Sequence, residues 1–323
     1  MTRLRGLLLA LCCAGLMVAG CIGDEPAPRR PLRVGWYRWV GWYPMAIMES
    51  QGLLDKHQAN VETILYDSYD DLLSDLGSGK LDACFGGLYE VLRSGIPGVK
   101  VTLATDFSSG AEGLVVLPDI ATPADLKGKR IGIQGGGSGS EYVITTLLRS
   151  HGMVPSDLIL VDLAPEHIFA EMPGNVQGGY TWDPYLAEAQ ARGYRILFST
   201  AEVPGLIVDV LAVRGEAVRD RRGDMEGFHA AWFEALGYWA GHPVEAAGII
   251  SRRIGVEVRP GLPPGCRLLD LQANREAFIP APTFVSLHHS GQHQIEFFME
   301  LGGVSVKPNL DEILDPSLLP GTP

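Results

Sequence analysis

Four short segments gather side chains able to grip a small molecule. Trp36-Tyr37-Arg38-Trp39-Val40-Gly41-Trp42-Tyr43 packs five aromatic rings and a guanidinium into one stretch. Aromatic faces stack on planar ligands or hold a cation. Arg38 suits a sulfonate or carboxylate, or else lies solvated. Trp36 falls where it would pack beneath the following helix, whereas Trp39 and Trp42, with Tyr43 beside them, either touch ligand or pack there too. Asp106-Phe107-Ser108-Ser109-Gly110 offers two hydroxyls beside an acid. Asp106 repels an anion but fits an amine or a ring N–H. The run 135–140 is glycine-rich and precedes a helix, so Ser138 and Ser140 either meet an anion at the free N–H groups of a helix start or simply cap it. Trp182 and Asp183 open another helix, where Asp183 either caps or faces ligand. The candidate ligand-binding set is Arg38, Trp39, Trp42, Tyr43, Asp106, Ser108, Ser109, Ser138, Ser140, Trp182 and Asp183.

Other chemistries fit less well. The glycine-rich run lacks a P-loop lysine and does not match dinucleotide spacing, so no cofactor is called for. His289 and His293 lie four apart on one helical face, but no Glu completes an HExxH arrangement, and a solvated face is expected in place of a metal site. No Ser-His-Asp set follows from sequence order, which leaves the catalytic list empty. The net charge is −12 and the pI about 5.1, a balance opposed to a nucleic-acid partner.

Elements that could position these segments follow from pattern. Strands are expected at 32–36, 61–66, 81–85 and 99–105, alternating with helices at 43–54 and 69–77. A second set of strands, 130–134, 158–163, 178–181 and 194–198, alternates with helices at 141–151, 167–172 and 184–192. Alternation of this kind implies parallel βαβ units and an α/β fold. The chain then turns helical at 226–241, 243–254 and 286–301. Two apolar extended stretches, 113–117 and 206–213, read as crossings between lobes. Lobe one then holds 32–113 and 206–315 and lobe two 118–204, with the cleft at the carboxyl ends of strands.

The first twenty residues read differently. Arg3 and Arg5 precede a short apolar run at 6–18, which closes with Val18-Ala19-Gly20-Cys21. The run fits a signal-peptide core better than a membrane span. Its end resembles the bacterial lipobox, implying a signal peptide over 1–20, lipid on Cys21 and a tether over 21–31. The body is then exported and lipid-anchored in the cell envelope. Cys84 and Cys266 remain in the body, as a disulfide or as two separate thiols.

Gly41-Trp42-Tyr43-Pro44, Gly52-Leu53, Gly79-Lys80-Leu81-Asp82-Ala83, the run 105–113, Asp125-Leu126-Lys127-Gly128-Lys129-Arg130-Ile131-Gly132 and Thr181-Trp182-Asp183-Pro184-Tyr185 follow one another in order. Together they resemble the substrate-binding proteins of ABC importers for nitrate, sulfonates and taurine, with the binders of thiamine pyrimidine precursors as close relatives. The resemblance runs from about Leu32 to Pro308. It implies a two-lobed, hinge-closing, periplasmic-binding-protein-like fold of type II and no catalysis. It also implies a monomer, a small-molecule solute as ligand, and an ABC permease and ATPase as separate chains. The family often carries Gly-x-Val-Asp-Ala before a Trp-Glu-Pro segment; here Val176 to Pro184 lacks that acid, and Asp183 stands where Glu is usual.

Overall fold

The computed structural model describes residues 29–321 except Asp70, Gly136, Gly137, Pro184, Pro263 and Ser305. The leader, Cys21 and most of the tether lie outside the described residues. The body is one compact unit, Pro31–Pro323.

Two sheets organise it. The first has six strands in the order β11-β4-β10-β3-β1-β2, where β1 is Leu32–Trp36, β2 Val61–Leu65, β3 Ala83–Gly87, β4 Lys100–Ser108, β10 Val208–Val213 and β11 Cys266–Leu268. The second has five in the order β7-β6-β8-β5-β9, where β5 is Glu112–Val116, β6 Arg130–Ile133, β7 Ile159–Asp162, β8 Gly178–Trp182 and β9 Arg195–Ser199. β1, β2 and β3 are parallel, as are β6, β7 and β8, as helical crossovers require. β10 runs antiparallel between β3 and β4, and β5 antiparallel between β8 and β9.

The stretches read as crossings sit inside the sheets: 113–117 falls almost wholly in β5, and 206–213 is largely β10. Each is apolar because it is a fully buried strand covered on both faces. The chain passes between sheets at 109–111 and 200–207. These passages are stitched together. Thr200 Oγ1 lies 2.7 Å from Ser108 Oγ, accepts from Gly110 N–H at 2.8 Å, and is 3.3 Å from the Glu112 carbonyl. Gly265 lends its carbonyl to the N–H groups of Ser109 and Ala111. It has φ 79°, and a Cβ there would meet the Ala111 nitrogen at 2.6 Å, so the position demands glycine.

The helix expected at 43–54 is broken at Gly52, whose left-handed conformation separates Pro44–Ser50 from Leu53–Lys56. The Gly86-Gly87 pair closes β3 and leads into a helix, Leu88–Arg93, that pattern did not suggest. A large core beneath the six-stranded sheet includes Trp36, Trp42, Phe85, Trp232 and Trp239. Smaller cores flank the second sheet. The late helix Leu287–Glu300 packs on both sides of the molecule: it meets Leu88–Arg93, and its Phe297 and His293 contact Tyr142 of the helix Gly139–Ser150. His289 and His293 also lie edge-on to Phe284, so this face is packed, not solvated. Cys84 and Cys266 are separate buried thiols.

Candidate functional site

A cavity of about 70 Å³ opens where loops after the parallel strands of both sheets converge. The turn after β1 supplies Tyr37, Arg38, Trp39 and Trp42; Tyr69 follows β2 and Tyr89 follows β3. From the second sheet come Glu112 on β5, Gln134 after β6, Gly139 and Ser140 at the start of the next helix, and Tyr180 and Trp182 on β8. Asp209 on β10 and Ile207 complete the lining. The carboxyl ends of parallel strands are where α/β sheets leave crevices for ligands, because each connecting loop starts there.

Five of the expected residues line this space: Arg38, Trp39, Trp42, Ser140 and Trp182. The others lie elsewhere, each for a physical reason. Tyr43 packs toward Trp239, and burial pushes its hydroxyl pKa up to about 12. Asp106 is completely buried behind Trp39, whose indole N–H donates to its Oδ1 at 3.1 Å. Ser108 bonds Thr200 and Glu112 at the inter-sheet passage, where Ser109 gives its backbone N–H to the Gly265 carbonyl. Ser138 caps the helix Gly139–Ser150 by accepting from Glu141 N–H at 3.3 Å. Asp183 accepts from Ala187 N–H at 3.1 Å. Arg38 stands at the lining but is tied back, Nη2 to Asp67 at 2.8 Å and Nε to the Ile254 carbonyl at 3.2 Å.

Sequence reasoning did not select Tyr37, Tyr69, Tyr89, Glu112, Gln134, Tyr180, Ile207 or Asp209. A signal existed for two of them. Glu112 and Asp209 are single acids at or inside strands that are otherwise apolar and buried, where an unpaired charge is expensive.

The acids define the electrostatics. Asp106 Oδ1 accepts from Trp39 and from the Cys266 thiol at 3.2 Å, and its Oδ2 from Thr105 at 2.8 Å. Burial nonetheless lifts its pKa to about 6. Asp209 lies opposite it and is pushed well above the usual carboxylate range, by burial first and then by the neighbouring Asp106, Glu112 and Glu90. Glu112 accepts from the Tyr180 hydroxyl at 2.6 Å, yet burial lifts it to about 7. Glu90 accepts from the Tyr69 hydroxyl and from Gly87 N–H at 3.0 Å. Four carboxyls thus converge behind and beside one aromatic cavity.

Residues 25–254 match the model of the NMT1-like family. The chain belongs to the NMT1-like family. It is similar to the taurine-binding periplasmic protein of Escherichia coli (strain K12), 29% identical over 150 residues, which cover 45% of this chain and 46% of that protein. The chain spans about half the length of the curated relatives it matches. Among solved structures it is similar to the periplasmic aliphatic sulphonate binding protein of Escherichia coli, with TM-score 0.70, 19% identity, and 90% of this chain and 99% of that chain covered. A desulfurization enzyme shares the fold, with TM-score 0.63, 18% identity, and 90% and 98% of the two chains covered. The family member described here therefore has the two-lobed α/β fold of periplasmic binding proteins, type II, and that fold hosts both binding proteins and an enzyme. Among the described residues no helix is long and apolar enough to cross a membrane.

Proposed function

We propose that this NMT1-like protein is the solute-binding component of an ABC importer. It captures a small metabolite by closing two lobes around it and hands the closed complex to a membrane permease driven by a separate ATPase. The observation that carries this reading is the cavity itself, whose walls come from both sheets while only the passages 109–111 and 200–207 link those sheets in the chain. Ligand that touches both walls favours the closed arrangement by its differential contact, which is how binding becomes a signal for docking. The lobes are taken as 32–113 with 206–315, and 118–204. The taurine- and sulphonate-binding relatives support a solute of the sulfonate, taurine or nitrate type, and an aminopyrimidine is the alternative. Cys21 carries the lipid that keeps the monomer at the envelope surface.

A thermal-shift screen of the purified protein against taurine, alkanesulfonates, nitrate, bicarbonate and aminopyrimidines tests the reading. Ligand bound only by the native state raises the melting temperature saturably. Stoichiometric binding without consumption of the ligand supports it. The raised carboxyl pKa values beside the cavity favour one rival, an enzyme on the same scaffold. Turnover of any bound candidate would decide for that rival. For the anchor, Cys21→Ser should move the protein from the membrane fraction to the soluble one.

A further inference from the structure

The cavity's own chemistry sorts ligands by charge. Several of its hydrogen-bond donors are spent on the acids behind them: Trp39 on Asp106, Tyr69 and Tyr89 on Glu90, and Tyr180 on Glu112, while the buried indole N–H of Trp42 has no partner. Two buried carboxyls, Asp209 and Glu112, line the same space. Asp209, only 8% exposed, lines the cavity beside the Asp106 carboxyl and has no ion pair with a cation among the described residues. Glu112 is equally buried on the opposite sheet. A second, independent feature marks the space as a ligand site. Ser140 lines the cavity, is 2% exposed, and its hydroxyl has no partner; a hydroxyl left so is completed by a ligand group. The rings of Tyr69, Tyr180 and Trp182 also line the space, and aromatic walls are of the kind that hold cations. Arg38, the one cation among the described lining residues, is neutralised by Asp67.

We propose that the ligand enters this cavity as a small organic cation bearing N–H donors, an ammonium or amidinium, held by Asp209 and Glu112 with Ser140 as a further acceptor. The proposal rests on the solute-binding reading and assigns that site its ligand class. A sulfonate or nitrate head placed there would stand against two buried carboxyls. A cation meets lone pairs, ring faces and a surplus of acid. The space of about 70 Å³ is well under the ~150 Å³ that admits benzene in an engineered cavity, so the charged head group is compact unless the lobes open further.

Binding of a cation carries a proton signature. The groups facing Asp209 are Asp106 on β4, Glu112 on β5, Glu90 and Tyr89 on the helix after β3, Tyr69, Tyr180 on β8 and Cys266 on β11. Burial and mutual repulsion keep Asp209 and Glu112 protonated above their ordinary range. A bound cation favours their charged forms and so expels protons.

The full-length protein is titrated calorimetrically near pH 7 with three isosteres, acetamidinium, acetamide and acetate, at matched ionic strength and in two buffers of different ionisation enthalpy. Acetamidinium is expected to bind at least about tenfold more tightly than acetamide, with proton release, and acetate not measurably. Asp209→Asn should weaken acetamidinium about tenfold and leave acetamide unchanged. Glu112→Gln provides the same reading should the first variant melt below the assay temperature. Acetate binding as tightly as acetamidinium, proton uptake, or an unaltered affinity in both variants overturns the proposal. If methanesulfonate or nitrate saturates the protein while acetamidinium does not, the cation assignment falls and the solute-binding reading stands; if no solute of either sign binds, both fall.

Discussion

Asp209 stands directly opposite Asp106 across the antiparallel pairing of β10 with β4, and the two buried carboxyls are hydrogen-bonded to one another. Like charges facing each other on neighbouring strands repel, so the arrangement persists only if one of the two keeps its proton. Asp106 has the donors Trp39, Thr105 and Cys266 to stabilise its anion. Asp209 has none of these and is the member that holds the proton. Gly87 lies on the other side of Asp209 in the β3 pairing, so no side chain from that strand competes for the carboxyl.

A pH dependence of stability follows. The folded pKa of Asp209 is well above its ordinary value and that of Glu112 is about 7, so the folded chain holds protons that the unfolded chain has released. That contribution is complete below the ordinary carboxylate range and is lost as pH rises through about 7. His229, buried and lowered from 6.5 to about 4, acts in the opposite sense: its contribution is lost as pH falls between those values. Above pH 6.5 the carboxyls act without that opposition. The unliganded protein should therefore melt lower at about pH 8 than at about pH 6.5. Asp209→Asn should shrink the difference; an identical difference in the variant would count against this assignment.

Tyr180→Phe deletes one oxygen and tests Glu112 alone. The Tyr180 hydroxyl donates to Glu112 Oε2 at 2.6 Å and holds its pKa down. Without it, Glu112 should titrate higher than in the parent, as read by NMR of the side-chain carboxyl. A lower or unmoved value would mean that the hydroxyl does not bond the charged form in solution.

Gly41 touches the same cluster from another side. A Cβ there would sit 1.9 Å from Asp106 Oδ2 and 2.3 Å from its Cγ. Gly41→Ala must therefore displace either the carboxyl or the loop that carries Trp39 and Trp42. We expect a loss of roughly 1–3 kcal/mol in urea unfolding, as for other overpacked interiors. Near-UV circular dichroism should change with it, because Trp39 is bonded to the displaced acid.

The inter-sheet passages depend on Thr200, which is fully buried and engages Ser108, Gly110 and Glu112. Thr200→Val keeps the shape and removes the hydroxyl, leaving buried partners unsatisfied. A destabilisation of about 1–3 kcal/mol is expected by urea titration. Wild-type stability in this variant would show that the passages are held by packing alone.

The sequence by itself determined the class of the fold. Alternating apolar strands and amphipathic helices can bury their faces only as α/β layers, and ten of the eleven strands among the described residues overlap stretches readable from pattern, counting β5 and β10 among them. β11 was not readable: three residues in a Gly- and Pro-rich stretch become a strand because β4 offers them an edge. The aromatic loop after β1 also announced itself, although the fold spends Trp36 and Tyr43 on packing. Tertiary structure decided what the rings surround. Whether Ser138 and Asp183 cap helices or face a ligand depends on where those helices start, and local geometry claimed both for capping. Whether Asp106 reaches the cavity depends on depth, and Trp39 covers it. Above all, the meeting of Asp209 with Asp106, and of both with Glu112 and Glu90, is a consequence of strand register and sheet order. These acids are far apart in the chain, and a register shift of one residue would turn each to the other face of its sheet, so only the folded chain could bring them together.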